Sequence, residues 1–367
     1  MLTERKKQLG VILETICEEL DITPSQYDDA KKKYTSLSDW LSKPDSELYK
    51  YNPEIYPQGS IILGTAVKPL VGDEFDVDLV CELNISKDSN QSAVKRIVGR
   101  RLLQNEKYKS ILHEKNRCWR LEFAGQFHMD ILPAIPDIYK ANGCILVPDR
   151  ELKEWSPSNP KGYAKWFESR MSVIKRAMLE ARAAEDLPNN DYIRTPLQRS
   201  VQILKRHRDV VFNDNKENAP VSIILTTLAA KAYNNESDLY EALTNIINRM
   251  PEQVDIISGF PAVLNPTNPD ENFADKWMKY PERFREFGKW LRKIQEHLSK
   301  TLEVPDMKRV KEGLLPIFGE KLVEKGMLRY AGKVEQQRKT GNLKMAVGTG
   351  LIGSTGIGVR KNTFYGT

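Results

Sequence analysis

Cysteine and histidine are scarce in this 367-residue sequence, at four of each. Cys17, Cys81, Cys118 and Cys144 never approach a CxxC spacing. A zinc site is therefore not expected, and the thiols read as reduced, mostly buried groups of a cytosolic protein. No run of about 18 apolar residues is present, so no membrane span is expected. The first residues, MLTERKKQLGVILETICEEL, are too charged for a signal peptide. A soluble, cytoplasmic protein is the expectation. No large excess of one charge exists either: 56 Lys and Arg face 50 Asp and Glu, for a net +6. Residues 331–367 carry +5 of that, which leaves +1 for residues 1–330. A broad basic surface for nucleic acid is thereby disfavoured. The apolar fraction of 40% is ample for a core, which excludes the disordered and fibrous classes.

What is present has a clear order. Leu9, Ile12, Ile16 and Leu20 recur at helical spacing after Thr3, and a second helix follows Thr23-Pro24-Ser25. From residue 55 the texture changes to strand-like runs: Ser60–Thr65, Phe75–Glu82, Cys118–Phe123 and Gln126–Leu132. Ala124-Gly125 between the last two predicts a tight hairpin turn. Helical spacing over residues 91–105 supplies a crossing helix, so this block predicts a mixed sheet. From about 157 the pattern is helical, over 161–184, 194–212, 219–233, 238–249 and 272–300. The predicted class is α+β and bilobed. N-terminal helices (1–50) pack across the lobes, a catalytic core spans 51–157, a helical lobe spans 158–330, and 331–367 form a flexible, basic, Gly-rich tail.

The chemistry concentrates in PQGSIILGTAVKPLVGDEFDVDLVCEL, residues 57–83. Alternate strand positions share a face, so Asp76 and Asp78 point the same way. Folding gains nothing from like charges placed there, and a divalent cation reverses the problem. Phe127-His128-Met129-Asp130-Ile131-Leu132 sets a third carboxylate in another apolar run. If the strands are neighbours, three acids converge, and two metal ions about 3.5–4 Å apart have ligands. Upstream, Gln58-Gly59-Ser60 forms a turn where backbone and hydroxyl can approach a phosphate. Gly-Ser, an Asp-x-Asp sixteen residues later and a distant third Asp together point to a metal-dependent nucleotidyltransferase.

These residues resemble the polymerase-β-like nucleotidyltransferases. More closely they resemble the bacterial cGAS/DncV-like nucleotidyltransferases (CD-NTases) of antiphage cyclic-oligonucleotide signalling, the CBASS systems. The resemblance spans nearly the whole chain through PQGSIILGTAV (57–67), EFDVDLV (74–80), FHMDILPAI (127–135), NPKGYAKWF (159–167), LQRSVQILKRHRD (197–209), PVSIILTTLAAKAY (220–233) and NPTNPDENFADKW (265–277). It implies a nucleotidyltransferase core with a helical lobe and a site between them. Asp76, Asp78 and Asp130 would be the metal-binding and catalytic carboxylates, holding two Mg²⁺ ions or Mn²⁺. Gln58, Gly59 and Ser60 match the phosphate-contacting turn, and Lys205 and Ser222 match contacts to the triphosphate from the helical lobe. From the residues alone, Lys205 also suits a surface lysine and Ser222 a helix cap. Asn265 and Asn268 lie in a Pro-rich loop that can present amides to a base or ribose, or simply form a turn.

The implied activity joins nucleoside triphosphates, ATP first among them, into a cyclic di- or trinucleotide second messenger read by a downstream effector. A linear nucleotidyltransferase acting on RNA ends or on protein is the alternative, and an inactive scaffold a more distant one. The sequence lacks the Cys/His zinc insertion of the animal cyclic GMP-AMP synthase, so zinc-mediated DNA binding is not expected. Related systems encode E1/E2-like enzymes that conjugate the nucleotidyltransferase C-terminus, or HORMA-type peptide-binding regulators. Residues 362–367, with Phe364 and Tyr365 as anchors, suit capture as an extended peptide.

Overall fold

A computed structural model of the chain describes all residues except 1, 71–73, 141–142, 150–152, 185–192, 305, 346–351, 354–356 and 360–367. The chain divides into two units. A sheet unit contains residues 22–172 and 255–279, and a helical unit contains 1–21, 173–254 and 280–367. The helix Leu2–Glu18 thus belongs to one unit and the helix Pro24–Ser42 to the other. Residues 255–279, expected in the helical lobe, belong with the sheet.

The sheet unit is built on β1 (Glu54–Gln58), β2 (Phe75–Glu82), β3 (Leu112–Glu114), β4 (Trp119–Phe123), β5 (Phe127–Pro136), β6 (Ile145–Asp149) and β7 (Glu154–Ser158). The order is β1-β2-β5-β4-β3, with β6 joined to β5 and β7 to β6. β2 and β5 run parallel, while β1, β4 and β6 run antiparallel to their partners. A parallel pair needs a long crossover, and the helix Gln91–Leu103 lies on it. The Asn90 side chain accepts from the Ala93 N–H at 3.1 Å and starts that helix. Strand alternation then separates two chemistries. Phe75, Val77, Leu79 and Cys81 of β2 join Phe127, Met129 and Ile131 of β5 and Leu121 of β4 in the main core, covered by Val94, Val98 and Leu102. Gly99 is needed there, because a Cβ would collide with the Trp119 ring. The opposite face carries the polar residues of β2, followed by a small cluster of Val80, Ala134, Ile145 and Val147.

Residues 60–65 are not a strand. Gly59–Leu63 form a short helix that begins on Gly59 at φ +67° and ends on Gly64 in the left-handed region. The aliphatic run Ile61-Ile62-Leu63 satisfies either period over so short a span, and the two glycines decide it.

In the helical unit, Pro196–Val211 is buried continuously from Pro196 to His207 and is central. Thr195 and Gln198 form a reciprocal capping box at its start. Ser222–Ala232, Leu239–Arg249 and Met307–Phe318 pack on it. The helix Leu2–Glu18 lies along Glu320–Thr340, where Gly326 clears space for Ile16. Residues 331–340, expected in a flexible tail, continue that last helix. Beyond it, Lys344–Met345 pairs with Ile352–Gly353 and Ile357–Gly358. The 362–367 segment lies outside the described residues. No helix among the described residues is long and apolar enough to cross a membrane.

Candidate active site

The parallel register of β2 and β5 sets Asp78 directly beside Asp130 and Asp76 beside His128. In-register neighbours share a face, so the aspartates predicted from sequence meet on one patch. β4 adds Arg120 opposite Asp130 and Glu122 opposite His128. On the other side β1 places Gln58 opposite Asp78. Asp76 is open to solvent and Asp130 is mostly covered. Gly59 closes the patch: a Cβ there would strike Asp78 Oδ2, and its φ of +67° is itself unfavourable for other residues.

Arg120 is the feature that sequence reasoning missed. Its Nε donates to Asp130 Oδ1 at 2.7 Å and its Nη2 to Asp130 Oδ2 at 2.8 Å, a bidentate fork. Nη2 also lies 3.6 Å from Asp76 Oδ1. These acids hold the guanidinium pKa above its ordinary value, chiefly through the Asp130 hydrogen bonds. At the far end of the patch, His128 Nε2 lies 2.9 Å from Glu74 Oε2, and Nδ1 lies 3.7 Å from Asp76 Oδ1.

The remaining candidates lie on other elements. Asn268 is buried; its amide donates to the Ser158 carbonyl at 3.3 Å and accepts from Lys140 at 3.2 Å. Asn265 is also buried, donating to Glu271 at 2.6 Å and accepting from the Thr267 N–H at 2.9 Å. Both amides help hold the 265–268 turn against the sheet unit. Lys205 and Ser222 belong to the helical unit. Lys205 is buried along Pro196–Val211 rather than lying at its surface. Ser222 is the first residue of its helix, whose cap is Val221, and its Oγ accepts from Arg208 Nη1 at 2.9 Å.

Comparison with known proteins gives this arrangement a family. The profile of the Second Messenger Oligonucleotide or Dinucleotide Synthetase domain matches residues 9–170. A "c-di-GMP synthase" of Roseivirga ehrenbergii is 33% identical over 98% of both chains. This chain is a CD-NTase. A more distant relative, the "cyclic dinucleotide synthase CdnG" of Bradyrhizobium diazoefficiens, is 23% identical over 90% of this chain and 85% of its own. The solved structure of that CdnG, in complex with GTP, superposes at a TM-score of 0.73 and 21% identity, covering 88% of this chain and 99% of the other. The bilobed polymerase-β-like fold expected from sequence is thus the fold observed. As a CD-NTase the chain is a nucleotidyltransferase that makes a cyclic product from nucleoside triphosphates.

The divalent ions implied by the family resemblance need hard oxygen donors. The CD-NTase offers Asp76, Asp78 and Asp130 from one face of adjacent strands, so the donor chemistry fits. Yet among the described residues no three His, Cys, Asp or Glu side chains are arranged to hold an ion as they stand. The Arg120 fork occupies both Asp130 oxygens. Nearby, burial and then the Asp130 charge push the Cys118 thiol up to about 12. It therefore stays protonated and is no nucleophile.

Proposed function

We propose that this CD-NTase condenses guanosine triphosphate into a cyclic dinucleotide, with Asp76, Asp78 and Asp130 as its catalytic carboxylates. The observation that carries the reading is the placement of Asp78 beside Asp130, with Asp76 on the same face. The full-length relative named for c-di-GMP favours GTP over the ATP expected from sequence. Asp76, Asp78 and Asp130 would hold two Mg²⁺ ions, which supply charge stabilisation at the transferred phosphoryl group and the leaving pyrophosphate. Asp130 takes the proton of the acceptor ribose hydroxyl at a carboxylate oxygen. That hydroxyl oxygen then bonds to the α-phosphorus of the donor as the bond to pyrophosphate breaks. A second transfer of the same kind closes the ring. Gly59 lets the backbone after Gln58 pass close to Asp78. The product would serve as a second messenger in antiphage defence.

The test is incubation with each nucleoside triphosphate and Mg²⁺, phosphatase treatment and mass spectrometry. A phosphatase-resistant cyclic guanine dinucleotide is expected from GTP alone. A phosphatase-sensitive linear product would overturn the reading, as would full turnover by an Asp76→Asn/Asp78→Asn protein.

A further inference from the structure

The carboxylate face poses an electrostatic question that the reaction does not answer. Asp76, Asp78 and Asp130 share one patch with Glu122 on a neighbouring strand. Strand register holds their backbones side by side. Like charges set side by side on one strand face repel. The arrangement must therefore be tolerable before any metal or nucleotide arrives. Of the side chains set on this face by β1, β2, β4 and β5, Arg120 is the one permanent cation.

Its geometry differs from an ordinary surface ion pair. Both Asp130 oxygens are engaged by one planar fork, at 2.7 and 2.8 Å. The same guanidinium leans toward Asp76, at 3.6 Å, too far for a hydrogen bond but close enough to offset its charge. Arg120 thus spans the two acids a cation would have to bridge. The fork takes one lone pair on each Asp130 oxygen. Mg²⁺ and Mn²⁺ take carboxylate oxygens directly, and an ion on the remaining lone pairs would sit against the guanidinium charge, so the two cations compete for Asp130.

We propose that Arg120 is the resident cation of this face: it aligns Asp130 and Asp76 in the metal-free enzyme, and a divalent ion must displace it from Asp130 to load the site. The proposal rests on the metal-binding reading of the aspartates above and adds a competition to it. Arg120 is then a positioning residue whose removal makes metal binding tighter, not weaker. By contrast, an arginine that merely supported the ligands would weaken metal binding when lost.

Mn²⁺ titration of the nucleotide-free full-length protein, followed by electron paramagnetic resonance, reads this directly. The proteins are wild type, Arg120→Gln and Arg120→Lys, with thermal melts in chelator and in saturating Mn²⁺. Arg120→Gln is expected to bind Mn²⁺ about tenfold tighter, the weight of a charged hydrogen-bonded pair. Its melting temperature should fall in chelator and recover with Mn²⁺. Arg120→Lys keeps the charge but loses the fork, and is expected to fall between the two. Equal or weaker Mn²⁺ binding by a folded Arg120→Gln protein overturns the proposal. Should Arg120→Gln not fold, Arg120→Lys binding no tighter than wild type overturns it equally. A wild type that takes up no Mn²⁺ sensitive to Asp78→Asn would overturn both this proposal and the reading beneath it. Wild-type binding without a gain in the arginine variants overturns the Arg120 role alone.

Discussion

Arg199 and Arg120 both meet carboxylates, and they do opposite work. Arg199, in the helical unit, has a side chain only 5% exposed. It donates to Glu14 at 2.8 Å, to the Cys17 carbonyl at 3.2 Å, to both Asp21 oxygens at 2.9 Å and to Gln202 at 2.9 Å. Burial opposes its charge, yet Glu14 and Asp21 outweigh burial and raise its pKa. Arg120 is 25% exposed and holds one acid firmly and another loosely. The first cluster encloses its arginine, and it ties the helix Leu2–Glu18 to Pro196–Val211. The second holds a part-exposed arginine between covered Asp130 and solvent-open Asp76. A buried arginine enclosed by its acceptors marks architecture, whereas a part-exposed one shared between two acids at a strand surface marks chemistry.

The sharpest way to break the comparison is to neutralise the open cluster. Asp78→Asn should lower product formation by at least about a hundredfold, the scale of losing one electrostatic stabiliser. Its urea midpoint should change far less than its activity. A fall in stability matching the loss of activity would make the patch structural. The closed cluster predicts the reverse. Arg199→Ala takes the buried cation from Glu14 and leaves Asp21 with Gln202 and a more distant Arg194. It should cost about 2–3 kcal/mol of unfolding free energy in urea titrations, below the fully buried case because both acids are partly exposed. Mn²⁺ affinity of the protein that remains folded should be unchanged.

Gly59→Ala sharpens the contrast at one backbone position. The added Cβ must push Asp78 aside while the residue holds φ +67°. A stability loss of about 1–3 kcal/mol is expected, together with a larger fall in kcal-equivalent activity, read as kcat on GTP. An effect confined to stability would detach Gly59 from the site.

The smallest effect lies in the helical unit. His207 is buried against Trp290 and bonded to His297 at 3.1 Å. Burial first, then His297, pushes its pKa down to about 3. The unfolded imidazole titrates near pH 6.5, so between those values the unfolded chain binds a proton that the folded one refuses. Stability from this group is full above about pH 6.5 and is lost as the pH falls toward 3. Urea midpoints of His207→Gln should decline less between pH 7 and pH 5 than those of wild type.

Much of the site was legible because strand alternation is a local property. Asp76 and Asp78 sit between apolar neighbours, and that pattern alone set them on a common face. Asp130 was legible for the same reason, and its pairing with Asp78 required only that the strands be adjacent. Arg120 escaped notice through one residue of register. A two-residue turn at Ala124-Gly125 would set Arg120 beside Met129, on the core side. The observed turn also includes Gln126, whose N–H donates to the Phe123 carbonyl at 2.9 Å, and Arg120 therefore faces Asp130. The roles of Asn265 and Asn268 were beyond reach for a different reason. Their partners, Glu271, Ser158 and Lys140, are brought together by a tertiary contact between the 264–272 hairpin and β7 that no local period records. Lys205 looked like a border residue on its helix, but neighbours on nearly every side bury it.

The parallel pairing of β2 and β5 also orders events in time. Asp78 and Asp130 are neighbours in space yet fifty-two residues apart in sequence. Their meeting has to await closure of the crossover that carries the helix Gln91–Leu103 and the β4–β5 hairpin. Long-range parallel contacts of that kind form slowly, after local turns and helices. A nascent chain released only as far as Phe123 holds the Asp-x-Asp strand without its partner, so the capacity for catalysis arrives in a single late step.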